Sequence, residues 1–131
     1  MAVQAINHVG LAVEDLDDAV ARYERLFGAE VERRAEGEGL VGAMLRVGDD
    51  RVELLTSADA ETPIGKFLTR RGPGMHHIAY SVGDIRGELR ALAAHGVELI
   101  DAEPRVGLFG HEIAFAHPDS VHGVLTELVG G

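Results

Sequence analysis

Four side chains in this sequence have the types and spacing from which a metal site can be built: His8, Glu53, His77 and Glu127. His8 lies in Ile6-Asn7-His8-Val9-Gly10-Leu11-Ala12-Val13. His77 lies in Met75-His76-His77-Ile78-Ala79-Tyr80-Ser81-Val82, and the two strand-like runs align on these histidines. Near the end of each half, Glu53-Leu54 corresponds to Glu127-Leu128. Each half thus opens with a histidine on one strand and closes with a glutamate on another, and two such halves could assemble one metal site. The chain has no cysteine, so thiolate ligands, disulfides and cysteine nucleophiles are excluded and only nitrogen and oxygen donors remain. Alternation of side chains along a strand lets only one of His76 and His77 face such a site, and the repeat selects His77.

The elements that must position these residues follow from periodicity and punctuation. Gln4 to Val13 alternates as a strand. A helix from Asp15 to Phe27 follows, with Asp15 as its N-cap, apolar positions at Leu16, Ala19, Val20, Tyr23 and Phe27, and Gly28 as its stop. Strands are expected over Glu30 to Arg34, Gly42 to Val47 and Arg51 to Leu55, the last two joined by Gly48-Asp49-Asp50. Thr62 and Pro63 open a short linking helix that ends before Arg71-Gly72-Pro73-Gly74. The pattern then restarts: a strand over Met75 to Val82, a helix over Asp84 to His95 closed by Gly96, and strands at Val97 to Ile100, Glu112 to Ala116 and Gly123 to Val129. The expected fold class is α+β, with two tandem βαβββ modules. Module one spans about residues 1–57, the connector about 58–74 and module two about 75–131.

Composition narrows the function classes. A chain of 131 residues that is 46% hydrophobic supports one domain with a core and is too short for two ordinary independent ones. Its net charge is −10 and its single lysine is Lys66, so nucleic acid and anionic membranes are not expected partners. No apolar run reaches the length of a membrane span and the N-terminus does not read as a signal peptide, which gives a soluble, cytoplasmic expectation. An anionic small molecule stays compatible, because a bound divalent cation or a few local arginines can outweigh distant, screened carboxylates.

The repeat with a histidine on each first strand and an acid on each last strand resembles the vicinal oxygen chelate superfamily, which implies that the two modules pair into a curled mixed sheet around a metal-binding cleft. Within it, several segments together resemble the methylmalonyl-CoA epimerase family: Ile6 to Val13, Thr62-Pro63-Ile64-Gly65-Lys66-Phe67-Leu68, Gly74-Met75-His76-His77-Ile78-Ala79, Glu103-Pro104-Arg105, and His117-Pro118 through Gly123-Val124-Leu125-Thr126-Glu127-Leu128. The resemblance implies a divalent metal held by His8, Glu53, His77 and Glu127. Two imidazoles and two carboxylates suit cobalt, manganese, nickel, zinc or magnesium and leave positions open on an octahedral ion.

It also implies an acyl-CoA substrate and interconversion of the (R) and (S) forms of methylmalonyl-CoA, by proton transfer at C2 through a metal-stabilised enolate. The family's first base is a glutamate in the loop after the second strand. This chain reads Glu36-Gly37-Glu38-Gly39-Leu40-Val41 there, with Gly37 at the ungapped position. Glu38 is the favoured base and Glu36 the alternative, with Glu127 or a metal-bound water as the second base. Lys66, Arg70, Arg71 and Arg105 could meet coenzyme A phosphates, although each also reads as a surface cation. Arg105 to His111 resembles the family's loop over the acyl group, and its backbone amides could bind the carboxylate; an ordinary hairpin connection explains its glycines equally well. His95, His117 and His122 have no repeat partner and read as structural or exposed. A homodimer is possible. The competing functions are a glyoxalase-like lyase and a metal-free, drug-sequestering binding module, with a ring-cleaving dioxygenase last.

Overall fold

Local chemistry sets the element ends. The Asp15 carboxylate accepts the Asp18 N–H at 3.0 Å to open helix α1 (Leu16–Phe27), and Gly28 closes it in the left-handed region at φ 66°. Thr62 Oγ1 accepts from Gly65 N to open α2 (Pro63–Arg71), with Pro63 in the first turn. Asp84 caps α3 (Ile85–Ala94) through the Gly87 N–H in the same way. The computed structural model describes residues 3–131. Its strands are β1 (Val3–Ala12), β2 (Glu30–Gly37), β3 (Leu40–Val47), β4 (Asp50–Thr56), β5 (Gly74–Val82), β6 (Arg105–Val106), β7 (Glu112–Ala116) and β8 (Thr126–Val129). The fold is α+β, and none of the described helices is long and apolar enough to cross a membrane.

The chain forms two compact units, His8–His76 and residues 3–7 with His77–Gly131. In the first unit the strands run in the order β2-β3-β4-β1, with β1 parallel to β4 and the other neighbours antiparallel. Leu16, Val20, Ala29, Ala43, Leu45 and Leu54 form its core between α1 and one sheet face. In the second unit the order is β5-β8-β7-β6, with β5 parallel to β8. Residues 3–7 join this unit, Asn7 Nδ2 donating to Ser81 Oγ at 2.9 Å. Val82, Ile85, Leu89, Ala114 and Leu128 form the second core. Each fully buried Leu or Ile side chain contributes about 1.5–3 kcal/mol relative to exposure, so each helix is fixed to its sheet by its apolar stripe.

Three segments depart from the expectation. The second strand runs three residues further, to Gly37, because a two-residue turn at Glu38-Gly39 lets Gly37 pair with Leu40. Val97 to Ile100 is not a strand: Leu99 makes one isolated bridge to Ala116, and the strand that pairs with β7 is instead Arg105–Val106. The physical reason is Asp101. The N–H groups of Ile100 and Asp101 both donate to Phe115 O at 2.9 and 3.1 Å, and the Asp101 carboxylate accepts the Phe115 N–H at 2.9 Å, so a side chain takes the place of a ladder bond. Residues 123–125 do not extend β8, because His122 and Gly123 turn through φ 61° and 91° after a short 3-10 helix, Pro118–Val121.

Candidate metal centre

Parallel register creates the two histidine–glutamate pairs. In the first unit Gly10 pairs with Glu53, which brings the carboxylate onto the face that His8 occupies two residues earlier on β1. His8 Nε2 lies 3.5 Å from Glu53 Oε1. In the second unit Ala79 pairs with Glu127 at the same offset from His77, and His77 Nε2 lies 3.1 Å from Glu127 Oε1. The residue beneath each carboxylate is small, Gly10 or Ala79, which leaves room over the strand.

Burial is the sharpest property of these residues. Among the described residues, the buried polar or charged side chains are His8 at 4% exposure, Glu53 at 7%, His77 at 2% and Glu127 at 5%. Such groups lose water without an equal return unless a charge partner or a metal compensates them. Nitrogen and oxygen donors about 3 Å apart are spaced like neighbouring ligands on one ion with bonds of about 2.1 Å. The donor types and spacing within each pair are those of two neighbouring ligands of a divalent metal, and equally of a buried His–Glu ion pair.

The remaining candidates are placed unevenly. His76, next to His77, is half-buried and stands edge-on to Phe67 at 5.1 Å, with the Arg71 guanidinium 5.6 Å from the same ring. Glu36 pairs with Val41, on the same alternation as Ala43 and Leu45, so its side chain belongs to the α1 face of the sheet, opposite Glu53. Gly37, the ungapped position, falls on the Glu53 face. Glu38 sits at the hairpin tip with φ 54°, exposed. That tip is tied down: Ser57 Oγ donates to Gly39 O at 2.7 Å and lies 2.8 Å from Thr62 Oγ1. Lys66, Arg70 and Arg71 are exposed on α2. In the Arg105 to His111 loop, Gly107 N–H donates to His111 O at 2.8 Å and Gly110 N–H to Gly107 O at 3.0 Å, so both amides are used within the turn. His117 Nδ1 accepts from Asp119 N and caps the 3-10 helix, His122 follows that helix, and His95 caps α3.

Three neighbours of the pairs escaped the sequence reading. Met44 pairs with Glu53 and Phe115 with Glu127, each beside the acid on the same face. Phe115 also stands edge-on to the His77 ring, 5.7 Å between centroids and 84° between planes. Asp101 fixes Phe115 through the backbone. Counting register along the β7–β8 hairpin from Glu127 would have found Phe115; nothing in the sequence marks Asp101 except its place four residues before Arg105.

Comparison with known proteins agrees with this geometry. Residues 7–115 match the Glyoxalase/Bleomycin resistance protein/Dioxygenase superfamily. The chain belongs to that superfamily. Among curated vicinal oxygen chelate relatives, a mitochondrial methylmalonyl-CoA epimerase of Dictyostelium discoideum is 32% identical, across 98% of this chain and 79% of that protein. An ethylmalonyl-CoA/methylmalonyl-CoA epimerase of Cereibacter sphaeroides is 34% identical, across 94% of this chain and 95% of that one. Among solved structures, a Streptomyces coelicolor methylmalonyl-CoA epimerase variant in complex with 2-nitronate-propionyl-CoA superposes with a TM-score of 0.95 at 36% identity, covering 99% of both chains. The fold is therefore the vicinal oxygen chelate fold.

Proposed function

We propose that this chain is a metal-dependent epimerase acting at C2 of methylmalonyl-CoA or a closely similar acyl-CoA. The observation that carries the reading is the burial of two histidines and two glutamates as register-matched pairs, in a chain whose relatives include several epimerases of this substrate class. His8, Glu53, His77 and Glu127 would together hold one divalent ion, which supplies Lewis-acid stabilisation of the enolate oxygen. The protein's own groups handle the proton. Glu38 takes the proton from one face of C2 and ends as the acid, while Glu127, protonated and released from the ion beforehand, gives one on the other face and ends as the carboxylate.

Two features favour Glu38 over Glu36. Register turns Glu36 to the α1 face, whereas Glu38 occupies a left-handed position in a tight turn where glycine or asparagine is the ordinary choice. A non-glycine residue held there against its backbone preference points to a role for its side chain. Glu38→Gly should therefore leave the melting temperature unchanged or raise it while turnover collapses; full turnover in this variant removes Glu38 as the base.

The decisive experiment incubates metal-loaded protein with a single epimer of methylmalonyl-CoA in deuterated water and follows exchange and inversion at C2. Both processes are expected, and both should disappear on chelation and in His77→Ala. Absence of exchange and inversion with every divalent metal tested sinks the reading.

A further inference from the structure

We propose that Ser57 is a positioning residue that holds the Glu38 turn in place for proton transfer, through a pair of hydroxyls reaching back to helix α2; this rests on the reading of Glu38 as the first base. Glu38 stands at the tip of the β2–β3 hairpin. Gly37 pairs with Leu40 there, so only two residues make the turn, both left-handed, at φ 54° and 81°. An exposed two-residue tip is ordinarily where a hairpin is least ordered, which suits a base poorly.

In this hairpin the Gly39 carbonyl, one residue from Glu38, accepts the Ser57 hydroxyl proton at 2.7 Å. Ser57 Oγ has a single proton to give, and its other acceptor, Asp59 O, is further away at 3.1 Å. The same oxygen accepts the Asp59 N–H at 3.1 Å and the Thr62 hydroxyl at 2.8 Å, and Thr62 Oγ1 accepts the Gly65 N–H at 3.0 Å. A directed chain thus runs from an α2 amide through Thr62 and Ser57 to the turn, each bond polarising the next. Its supports are close-packed. A Cβ on Gly65 would collide with Asp59 O, and one on Gly39 would lie 3.0 Å from the Thr62 methyl. Ser57 is half-buried and directly follows β4, the strand that carries Glu53, and Val41 of the hairpin pairs with Thr56 beside it. One strand therefore places both the buried acid of the first unit and the anchor of the turn that bears the base. A serine needed only to start the 57–62 loop would be satisfied by the Asp59 amide; the bond to Gly39 reaches back 18 residues and touches nothing but the turn.

The test measures exchange and inversion at C2 of methylmalonyl-CoA by the cobalt-loaded protein in wild type, Ser57→Ala, Ser57→Thr, Glu38→Gln and the Ser57→Ala, Glu38→Gln double variant. Ser57→Ala should lower kcat roughly 10-fold and leave KM within about 2-fold, the signature of a misplaced reacting group rather than a lost substrate contact. Threonine keeps the hydroxyl and should return most of that loss. In Glu38→Gln, which lacks the base, adding Ser57→Ala should change the residual turnover by less than about 2-fold. Amide hydrogen exchange over residues 36–41 should quicken in Ser57→Ala while the rest of the first unit keeps its protection. Unchanged kcat in Ser57→Ala overturns the proposal. So does an undiminished loss in the Glu38→Gln background, a threonine variant as slow as alanine, or lost protection across the whole unit, which would make Ser57 a stability residue only. Wild type without exchange at C2 ends the epimerase reading, and full turnover in Glu38→Gln ends the base assignment; full turnover in Ser57→Ala with Glu38→Gln inactive removes Ser57 alone.

Discussion

The two histidine–glutamate pairs are the same object built twice, and what surrounds them is not. In each unit a parallel pairing sets the glutamate beside the residue two past the histidine, Gly10 in the first and Ala79 in the second. Beyond the glutamates the rows diverge. Met44 occupies the position that Phe115 fills, and Ala35 the position that Arg105 fills. The first unit has an eight-residue β2 ending in a tight acid-bearing turn; the second has a two-residue β6 backed by Asp101. The proposed ligation is compatible with duplication, because both pairs would supply the same donors. Under the proposed epimerase reading, proton transfer acts on different faces of one small molecule, and Glu38 accordingly sits at a position where the repeats differ.

The equivalence of the pairs is most severely tested by removing one histidine at a time. His8→Ala and His77→Ala should each lower cobalt affinity, measured calorimetrically, by roughly 100-fold or more, since loss of even a supporting contact to a ligand costs 10–100-fold. A large loss in one variant only would show that the pairs are not equivalent donors. The two cores come next. Leu54→Ala and Leu128→Ala should each cost about 2–5 kcal/mol in urea unfolding, because both side chains are buried, at 0% and 4% exposure, in separate clusters. Phe115→Met would give the second pair the neighbour that the first already has. It should fold, keep its metal and lose a few-fold in turnover as the wall beside His77 loosens; unchanged turnover would make the two walls interchangeable.

The smallest effect belongs to the surface of the first unit. The hydrogen bond from Arg51 to Glu32, 2.6 Å, holds the Glu32 carboxyl below its ordinary 4.5. A carboxyl depressed in the folded state stabilises above its unfolded value, and that contribution is lost as pH falls through the folded value. Glu32→Gln should therefore cost less than about 1 kcal/mol at neutral pH, with the difference from wild type vanishing in strong acid and shrinking in salt.

Much of this organisation was legible in the chain. Asp15 with Gly28 and Thr62 with Pro63 bracket helices because capping is local chemistry. His8, Glu53, His77 and Glu127 stand out because two copies of one unit can be compared within one chain, and all four are buried. What escaped depends on contacts between segments. Val97 to Ile100 has the composition of a strand, yet Asp101 satisfies the Phe115 amide and ends the ladder there. Phe115 reads as an ordinary core aromatic until register places it beside Glu127. The side to which Glu36 points is fixed by the hairpin turn, whose position the sequence leaves one residue uncertain.

Asn7 and its neighbours are made early in translation, and their partners come late. Residues 3–7 cluster with His77–Gly131, and the Asn7 side chain bonds Ser81, 74 residues downstream. On the ribosome, His8–His76 is the first stretch whose internal contacts can all form, while the opening half of β1 waits for the second half of the chain to emerge. Closing that long loop makes residues 3–7 a late arrival in folding. The bond His8 makes to its own preceding residue is thus the seam between the part that can settle during synthesis and the part that cannot.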